Sequence, residues 1–252
     1  MFPTIFLHII VFIYGIVIGS FLNVCIYRIP KKENIVITRS HCMSCNYQLR
    51  WYDLIPVISY CALGGKCRKC KAWISIQYPL VEGLNGVLYL IIFMKCGLSV
   101  DTLLYCLVAS ALLVLSVIDF RTYEIPVGIN YFIFAVGLIK VCFDYKNIVS
   151  YIIGFFSVSL FLYLIYLITG GRGIGGGDVK LMAVCGLLLG WKLILLAFLS
   201  GCIIGSICHV IRMKLTKADN LLAMGPYLSI GVMIAMLWGN SMINWYLAYL
   251  GL

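Results

Sequence analysis

Apolar stretches, each about the length of a membrane span, recur along most of the 252-residue chain. A helix that crosses a bilayer needs about 20 predominantly apolar residues, because its backbone polar groups must be satisfied within the segment. The pattern predicts such helices near residues 5–27, 78–95, 99–119, 126–143, 148–169, 178–190, 192–212 and 224–250. The sequence therefore predicts an all-α polytopic membrane protein with about eight transmembrane helices.

Residues 28–78 interrupt this pattern. They include nine Lys and Arg residues and two acidic residues, and no 20-residue apolar run fits among them. We expect an extramembrane domain of about fifty residues, which is too small to hold a large core without a metal or another cross-link. The predicted organisation is a first transmembrane helix at 1–27, this small domain at 28–78, and a seven-helix membrane domain at 79–252.

Composition supports a membrane protein and excludes a soluble enzyme or a disordered chain. Hydrophobic residues make up 63% of the chain and charged residues only 11%, whereas soluble domains are nearer half apolar and a quarter charged. The net charge of +10 does not indicate nucleic-acid binding, because the basic residues are scattered among apolar runs. In a membrane protein, Lys and Arg report topology instead.

The distribution of basic residues predicts the orientation. With the N-terminus outside, the cytosolic segments are 28–78, 119–126, 170–180 and 212–223. These segments hold 15 of the 19 Lys and Arg residues, and the external side holds the other four. This asymmetry is the one expected of a multi-pass protein of the bacterial cytoplasmic (inner) membrane. The excess positive charge of the 28–78 domain suggests contact with anionic lipid head groups.

Four of the twelve cysteines form two CxxC pairs inside the 28–78 domain. The pairs are Cys42 with Cys45 and Cys67 with Cys70. Two such turns can complete a tetrahedral zinc site, and disulfides rarely persist in the cytosol. We predict one structural Zn²⁺, which would also hold the small domain together. An iron site and redox-active thiol pairs are the alternatives.

Two of the nine acidic residues are predicted to lie at the same membrane depth. Asp119 ends the third helix and Asp178 opens the sixth, so the topology places both at the cytosolic boundary. Ionisable residues at membrane depth are costly and commonly functional. Two close carboxylates can share a proton and activate water against a peptide carbonyl. From the residues alone, each Asp is equally well explained as a charge at a helix end.

A glycine-rich segment, residues 170–177, precedes Asp178 and holds six glycines. It contains the pattern GxGxxG, but no strand precedes it, so a dinucleotide site is not indicated. Glycine allows the backbone to approach a substrate closely. We therefore expect a loop beside a catalytic carboxylate.

Taken together, the motifs resemble those of the type IV prepilin peptidases, the leader peptidase/N-methyltransferase family. The resemblance covers nearly the whole chain. It rests on residues 19–24 and 27–30 of the first helix, 42–82 with its four cysteines, Asp119 with Ile125-Pro126, the GxGD motif at 175–180, and Gly225-Pro226.

The resemblance implies an aspartic endopeptidase that uses Asp119 and Asp178. It would remove the basic leader from prepilins or pseudopilins at the cytosolic face, and then N-methylate the new terminus with S-adenosylmethionine. It places Gly175, Gly176, Gly177 and Lys180 in the active-site loop. Gly65 and Glu82 are candidates for methyl transfer only because they lie in the matching block, and Glu82 could instead snorkel at a helix end.

Two other functions are compatible with the sequence. One is a peptidase without methyl transfer. The other is a polytopic carrier or scaffold that uses the two aspartates as ion or proton sites.

Overall fold

The computed structural model describes residues 2–37, 39–215 and 222–251. Within them the protein is helical, apart from two isolated β-bridges. This confirms the predicted all-α class. The nine α-helices of the described residues are α1 Phe2–Arg28, α2 Ile58–Ala62, α3 Gln77–Cys96, α4 Val100–Thr122, α5 Val127–Phe143, α6 Ile148–Thr169, α7 Gly176–Leu189, α8 Trp191–Leu215 and α9 Gly225–Tyr249.

Six of the described helices are long and apolar enough to cross a membrane, namely α1, α3, α4, α6, α8 and α9. The other two apolar stretches of the sequence form shorter helices. α5 has 17 residues and α7 has 14. Between α1 and α3, the described residues contain only α2 and one 3-10 turn, Trp51–Leu54, as regular helical structure. The count of eight spans remains a prediction.

The chain forms two compact units, Met1–Val114 and Leu115–Leu252, and the division falls within α4. In the first unit α1 packs along α3. Asn85 of α3 lies at the centre of a buried polar network, where its amide donates to the Gly15 carbonyl over 2.7 Å and accepts from the Ser110 hydroxyl over 3.0 Å. Every polar atom of this side chain therefore has a role in joining helices, as burial in a dry core requires.

Between α1 and α3, the first unit contains two similar hairpin turns, one around each CxxC pair. Antiparallel bridges join His41 to Gln48 and Lys66 to Trp73. In each turn the backbone N–H of the first cysteine donates to the carbonyl oxygen five residues later, that of Tyr47 for Cys42 and that of Ala72 for Cys67. We call these the first knuckle (41–48) and the second knuckle (66–73).

In the second unit α7 lies among other helices, because it contacts α5, α6, α8 and α9. Its contact with α6 is close, since a Cβ on Gly186 would lie 2.1 Å from the carbonyl oxygen of Gly154. Only glycine permits two backbones to meet at this distance. α7 is thus fixed at the centre of the unit, and so is the acidic residue in its first turn, Asp178.

Residues 216–221 fall outside the described residues. The predicted cytosolic segment 212–223, including Lys217, therefore lies partly outside the structural description.

Candidate active site and metal centre

Asp119 lies in the last turn of α4 and is only 4% exposed. Its carboxylate oxygen Oδ2 accepts the backbone N–H of Gly225 at 2.9 Å. Gly225 is the first residue of α9, and helix starts have backbone N–H groups without intrahelical partners. One of these donors therefore satisfies the buried carboxylate and holds it in place.

Asp178 lies in the first turn of α7, which begins two residues before it at Gly176. Its carboxylate accepts a hydrogen bond from the backbone of Gly175, while Oδ1 is buried without a hydrogen-bond partner. A negative charge is favoured at a helix N-terminus. A buried oxygen without a partner is unfavourable, however, and is typical of a site that waits for a ligand.

The structure brings these two aspartates together. The Asp119 carboxylate repels that of Asp178 electrostatically. The segment that follows α4 contacts the start of α7, because a Cβ on Gly177 would lie 2.9 Å from the Ile125 Cβ. The end of α4 and the starts of α7 and α9 thus meet at one end of the second unit. Two close carboxylates in a water-poor site form a pair that can share one proton.

The glycine-rich segment links α6 to this site. α6 ends in left-handed backbone at Gly170, and Gly175 precedes α7 in extended conformation. Gly176 and Gly177 are helical residues of α7, so the loop is shorter than the sequence suggested. Lys180 is exposed one turn into the helix. The backbone of Gly175 hydrogen-bonds the Asp178 carboxylate, and a Cβ on Gly175 would lie 3.1 Å from Asp178 Oδ2.

We expect Gly225→Ala to lower the rate of any reaction that depends on the Asp119 carboxylate by about 10- to 100-fold. The new Cβ would lie 2.7 Å from Asp119 Oδ2 and 3.0 Å from a Leu115 methyl, and small displacements of catalytic groups have large effects. The rate under single-turnover conditions measures this effect. Gly128→Ala is the matched control, because nothing lies within 4 Å of its Cβ. Equal rates for the two variants would contradict the assigned role of Gly225.

The four cysteines of the knuckles converge as predicted. Their Sγ atoms all lie within 4.8 Å of one another, and those of Cys42 and Cys70 are 3.8 Å apart. A tetrahedral zinc with Zn–S bonds of about 2.3 Å requires sulfur separations of about 3.8 Å. Both knuckles carry a residue with positive φ directly after the second cysteine, Asn46 and Lys71. The cluster therefore fits a closed four-thiolate metal site.

The backbone of the second knuckle favours a thiolate. The N–H groups of Cys70 and Lys69 lower the pKa of the Cys67 thiol to about 6. Thiolate, rather than thiol, is the metal-binding form. His41 does not belong to the cluster, and its ring instead pairs with the Arg39 carbonyl.

Asp53 joins the second knuckle to the segment that lies between the two knuckles. Its side chain is 1% exposed and accepts the Arg68 guanidinium at 2.8 Å, while its other oxygen accepts the Arg50 N–H at 3.2 Å. A buried carboxylate with charged and backbone partners fixes the geometry around it. Arg68 lies between two cysteines of the second knuckle, so Asp53 fixes the position of this knuckle against the segment that precedes it.

Glu82 is buried rather than snorkelling. It is 6% exposed and accepts the Val57 N–H at 2.7 Å together with the Ser20 hydroxyl. Val57 has a positive φ of 59°, which is strained for a β-branched residue. Glu82 therefore holds a strained turn of the first unit. Gly65 also has positive φ and packs under the Tyr60 ring.

Sequence comparison agrees with the two-part architecture. Residues 13–96 match the Bacterial Peptidase A24 N-terminal domain, and residues 106–210 match the Type IV leader peptidase family. The first match includes all four cysteines and the second includes both aspartates. No solved structure shows significant similarity.

Full-length relatives give the same result. The prepilin leader peptidase/N-methyltransferase of Pseudomonas aeruginosa is 32% identical across 94% of this chain and 92% of its own length. That of Aeromonas salmonicida is 31% identical (95% and 93%), and that of Bacillus subtilis is 32% identical (94% and 97%). The fold and sites define a multi-pass, all-helical membrane protein with a tetracysteine cluster. The chain belongs to the type IV leader peptidase family.

Two features of the site were missed from the sequence. The sequence marks Gly225 only as part of a Gly-Pro motif, although its N–H donates to the Asp119 carboxylate. Asn130 stood out in no pattern, yet its buried amide lacks partners. A polar residue in an otherwise apolar run was the available signal for Asn130.

Proposed function

We propose that the protein is an aspartic endopeptidase of the bacterial inner membrane. It removes the leader from type IV prepilins or pseudopilins and N-methylates the new terminus. The observation that carries the proposal is the meeting, at one end of the second unit, of the buried Asp119 of α4 with the half-buried Asp178 of α7. Membership of a family whose relatives carry both activities in their names supports it.

The paired carboxylates account for peptide hydrolysis. The ionised carboxylate takes a proton from water as the hydroxyl adds to the carbonyl carbon, and the protonated one donates a hydrogen bond to the carbonyl oxygen. Proton transfer to the amide nitrogen then breaks the C–N bond. The leader leaves with a carboxylate and the mature chain with a free amine. Asp119 and Asp178 titrate as a unit, so their roles are shared.

The proposed topology sets where the bond is cut. We place all eight apolar helices across the bilayer, with the N-terminus outside and the 28–78 domain in the cytosol. Both aspartates then lie at the cytosolic boundary. A basic leader would remain in the cytosol while the apolar helix that follows it stays in the membrane. The bond between them would lie at the depth of the pair.

We assign a structural zinc to Cys42, Cys45, Cys67 and Cys70. The convergence of the four Sγ atoms within 4.8 Å of one another, which matches a four-thiolate site, supports this role. When bound, zinc would cross-link the two knuckles and stabilise the small domain. We associate methyl transfer with this domain. S-adenosylmethionine would supply the methyl group. The contacts of Glu82 and the positive φ of Gly65 favour a role in shaping the backbone of the first unit.

Co-expression with candidate prepilins tests both activities together. We expect the mature N-terminus to lack the leader and to carry one added methyl group, as measured by mass spectrometry of the purified pilin. An unmodified amine would instead indicate a peptidase without methyl transfer. An intact leader with every prepilin tried would contradict the proposal and favour a carrier or scaffold.

A further inference from the structure

Unpaired buried polar atoms are confined to the second unit within the described residues. They belong to four side chains: both amide atoms of Asn130, Asp178 Oδ1, His209 Nδ1 and Ser229 Oγ. The buried amide of Asn85 in the first unit, by contrast, is paired at its nitrogen and its oxygen. Leaving a buried polar atom unpaired is costly, so such atoms need an explanation.

Asn130 is the most complete case. It is 3% exposed, and neither its amide nitrogen nor its amide oxygen has a hydrogen-bond partner. A structural role would be expected to use at least one of these atoms. An amide with a free donor and a free acceptor is complementary to a peptide group, which offers one acceptor and one donor.

Asn130 lies at the level of the candidate active site. It is the fourth residue of α5, and Asp178 is the third residue of α7. The two helices begin side by side, because Ile125 contacts Gly177. They still touch further along, where a Cβ on Gly137 would lie 3.3 Å from a Leu187 methyl. α5 and α7 therefore run in parallel, with Asn130 and Asp178 in their first turns.

A second unpaired group lies in the corresponding turn of α9. Ser229 is 4% exposed and follows Gly225, whose N–H binds Asp119, by about one helical turn. Unpaired polar atoms on α5, α7 and α9 thus share one end of the unit. Their common position points to a ligand that is absent when the protein stands alone.

The prepilin substrate of the proposed function carries backbone peptide groups that could pair with these unpaired atoms. The first N–H groups of a helix have no intrahelical partner, and cleavage at the start of an apolar helix takes them out of water. Peptide groups at that depth must find partners in the protein. A buried side-chain amide in the first turn of α5, at the level of the catalytic pair, could satisfy one of them.

We propose that Asn130 is a substrate-positioning residue. It binds the main-chain peptide group of the substrate on the apolar side of the cleaved bond, and so aligns that bond with Asp119 and Asp178. This inference rests on the proposed function and adds a binding role for a residue outside the catalytic pair. Recognition of backbone rather than side chains would let the site accept several pilin sequences.

Steady-state kinetics on the full-length enzyme in detergent, with a purified prepilin, test the inference. We expect Asn130→Leu and Asn130→Ala to raise KM about tenfold, the loss of a typical hydrogen bond, with a smaller change in kcat. The melting temperature of Asn130→Leu should be equal to or above that of the wild type, because an unpaired amide is replaced by an apolar group. Asn85→Leu, which breaks a satisfied network, should lower the melting temperature without raising KM.

A chemical change in the substrate gives an independent test. Synthetic prepilin peptides would carry an ester in place of one peptide N–H at each of the first four positions after the cleaved bond. One position should weaken binding to the wild type about tenfold and add nothing in Asn130→Leu, because the same contact is already lost.

Three results would overturn the inference. They are an unchanged KM in both Asn130 variants, a fall in the melting temperature of Asn130→Leu matching that of Asn85→Leu, and fully additive effects of ester and variant. Cleavage of the unmodified prepilin by the wild type tests the proposed function separately. If the wild type leaves the unmodified prepilin intact, the function itself fails, whereas normal cleavage by Asn130→Leu rejects only the role of Asn130.

Discussion

We expect Asp119→Asn and Asp178→Asn each to lower the rate of leader cleavage by about 1,000-fold or more, within the range attributed to positioned acid–base groups. Asparagine keeps the size of the side chain but cannot exchange the proton that the pair must share. The two variants should still fold. At position 119 the Asn side chain can accept the Gly225 N–H, and at position 178 it removes a charge from a site that is partly shielded from water. Cleavage of a purified prepilin, followed over several hours, measures the effect.

Asp101→Asn provides the matched control. Asp101 lies in the first turn of α4 and Asp119 in the last, so both changes remove one negative charge from the same helix. Only the change at Asp119 should affect cleavage. The double variant of Asp119 and Asp178 should be about as inactive as either single variant, since residues that act as a unit are not additive. Near-normal processing by either single variant would refute the assignment of the pair.

Loss of the metal is expected to separate the two activities. Cys42→Ser and Cys67→Ser should each reduce bound zinc from one per chain to nearly none, because each removes one of four thiolates from a closed site. The small domain should then lose its fold. Methylation should fall below detection, while leader cleavage persists, because both aspartates belong to the Leu115–Leu252 unit. Elemental analysis gives the metal content, and mass spectrometry of the product gives both activities.

Cys61→Ser is the control for this experiment. Cys61 lies in the same small domain on α2, but it is exposed and outside the cluster. This variant should retain one zinc per chain and both activities. If the wild type contains no zinc, or if it contains iron, the metal assignment is wrong. If cleavage disappears together with zinc, the peptidase depends on the small domain.

The helices were predictable because the bilayer leaves few alternatives. A 20-residue apolar run cannot satisfy its backbone in lipid except as a helix. α4 was expected at 99–119 and is found at Val100–Thr122, and α6 was expected at 148–169 and is found at Ile148–Thr169. Topology alone predicted that Asp119 and Asp178 lie at the same membrane depth, and the resemblance to the family predicted that they act as a pair. In the structure the charge of Asp119 acts on Asp178.

The contacts within the site were not predictable, because they depend on how the helices pack. Gly225 and Asp119 are 106 residues apart, and no local pattern links a glycine N–H to that carboxylate. Glu82 looked like an interfacial charge, but its contacts with Val57 and Ser20 arise only when α1 and α3 pack together. Asn130 is the clearest example. Its buried amide has no hydrogen-bond partner, and this can be seen only once the positions of all neighbouring side chains are known.

The length of α7 bears on how water is supplied. Its 14 residues rise about 21 Å, while the hydrocarbon layer of a bilayer is about 30 Å thick. If α7 crosses the bilayer as proposed, it is too short to reach both surfaces, and lipid cannot fill the remaining length because α5, α6, α8 and α9 surround it. Hydrolysis consumes one water molecule at a bond drawn from an apolar layer. Under the proposed topology, Asp178 in the first turn of this short, enclosed helix would lie at the base of a recess that cytosolic water can enter.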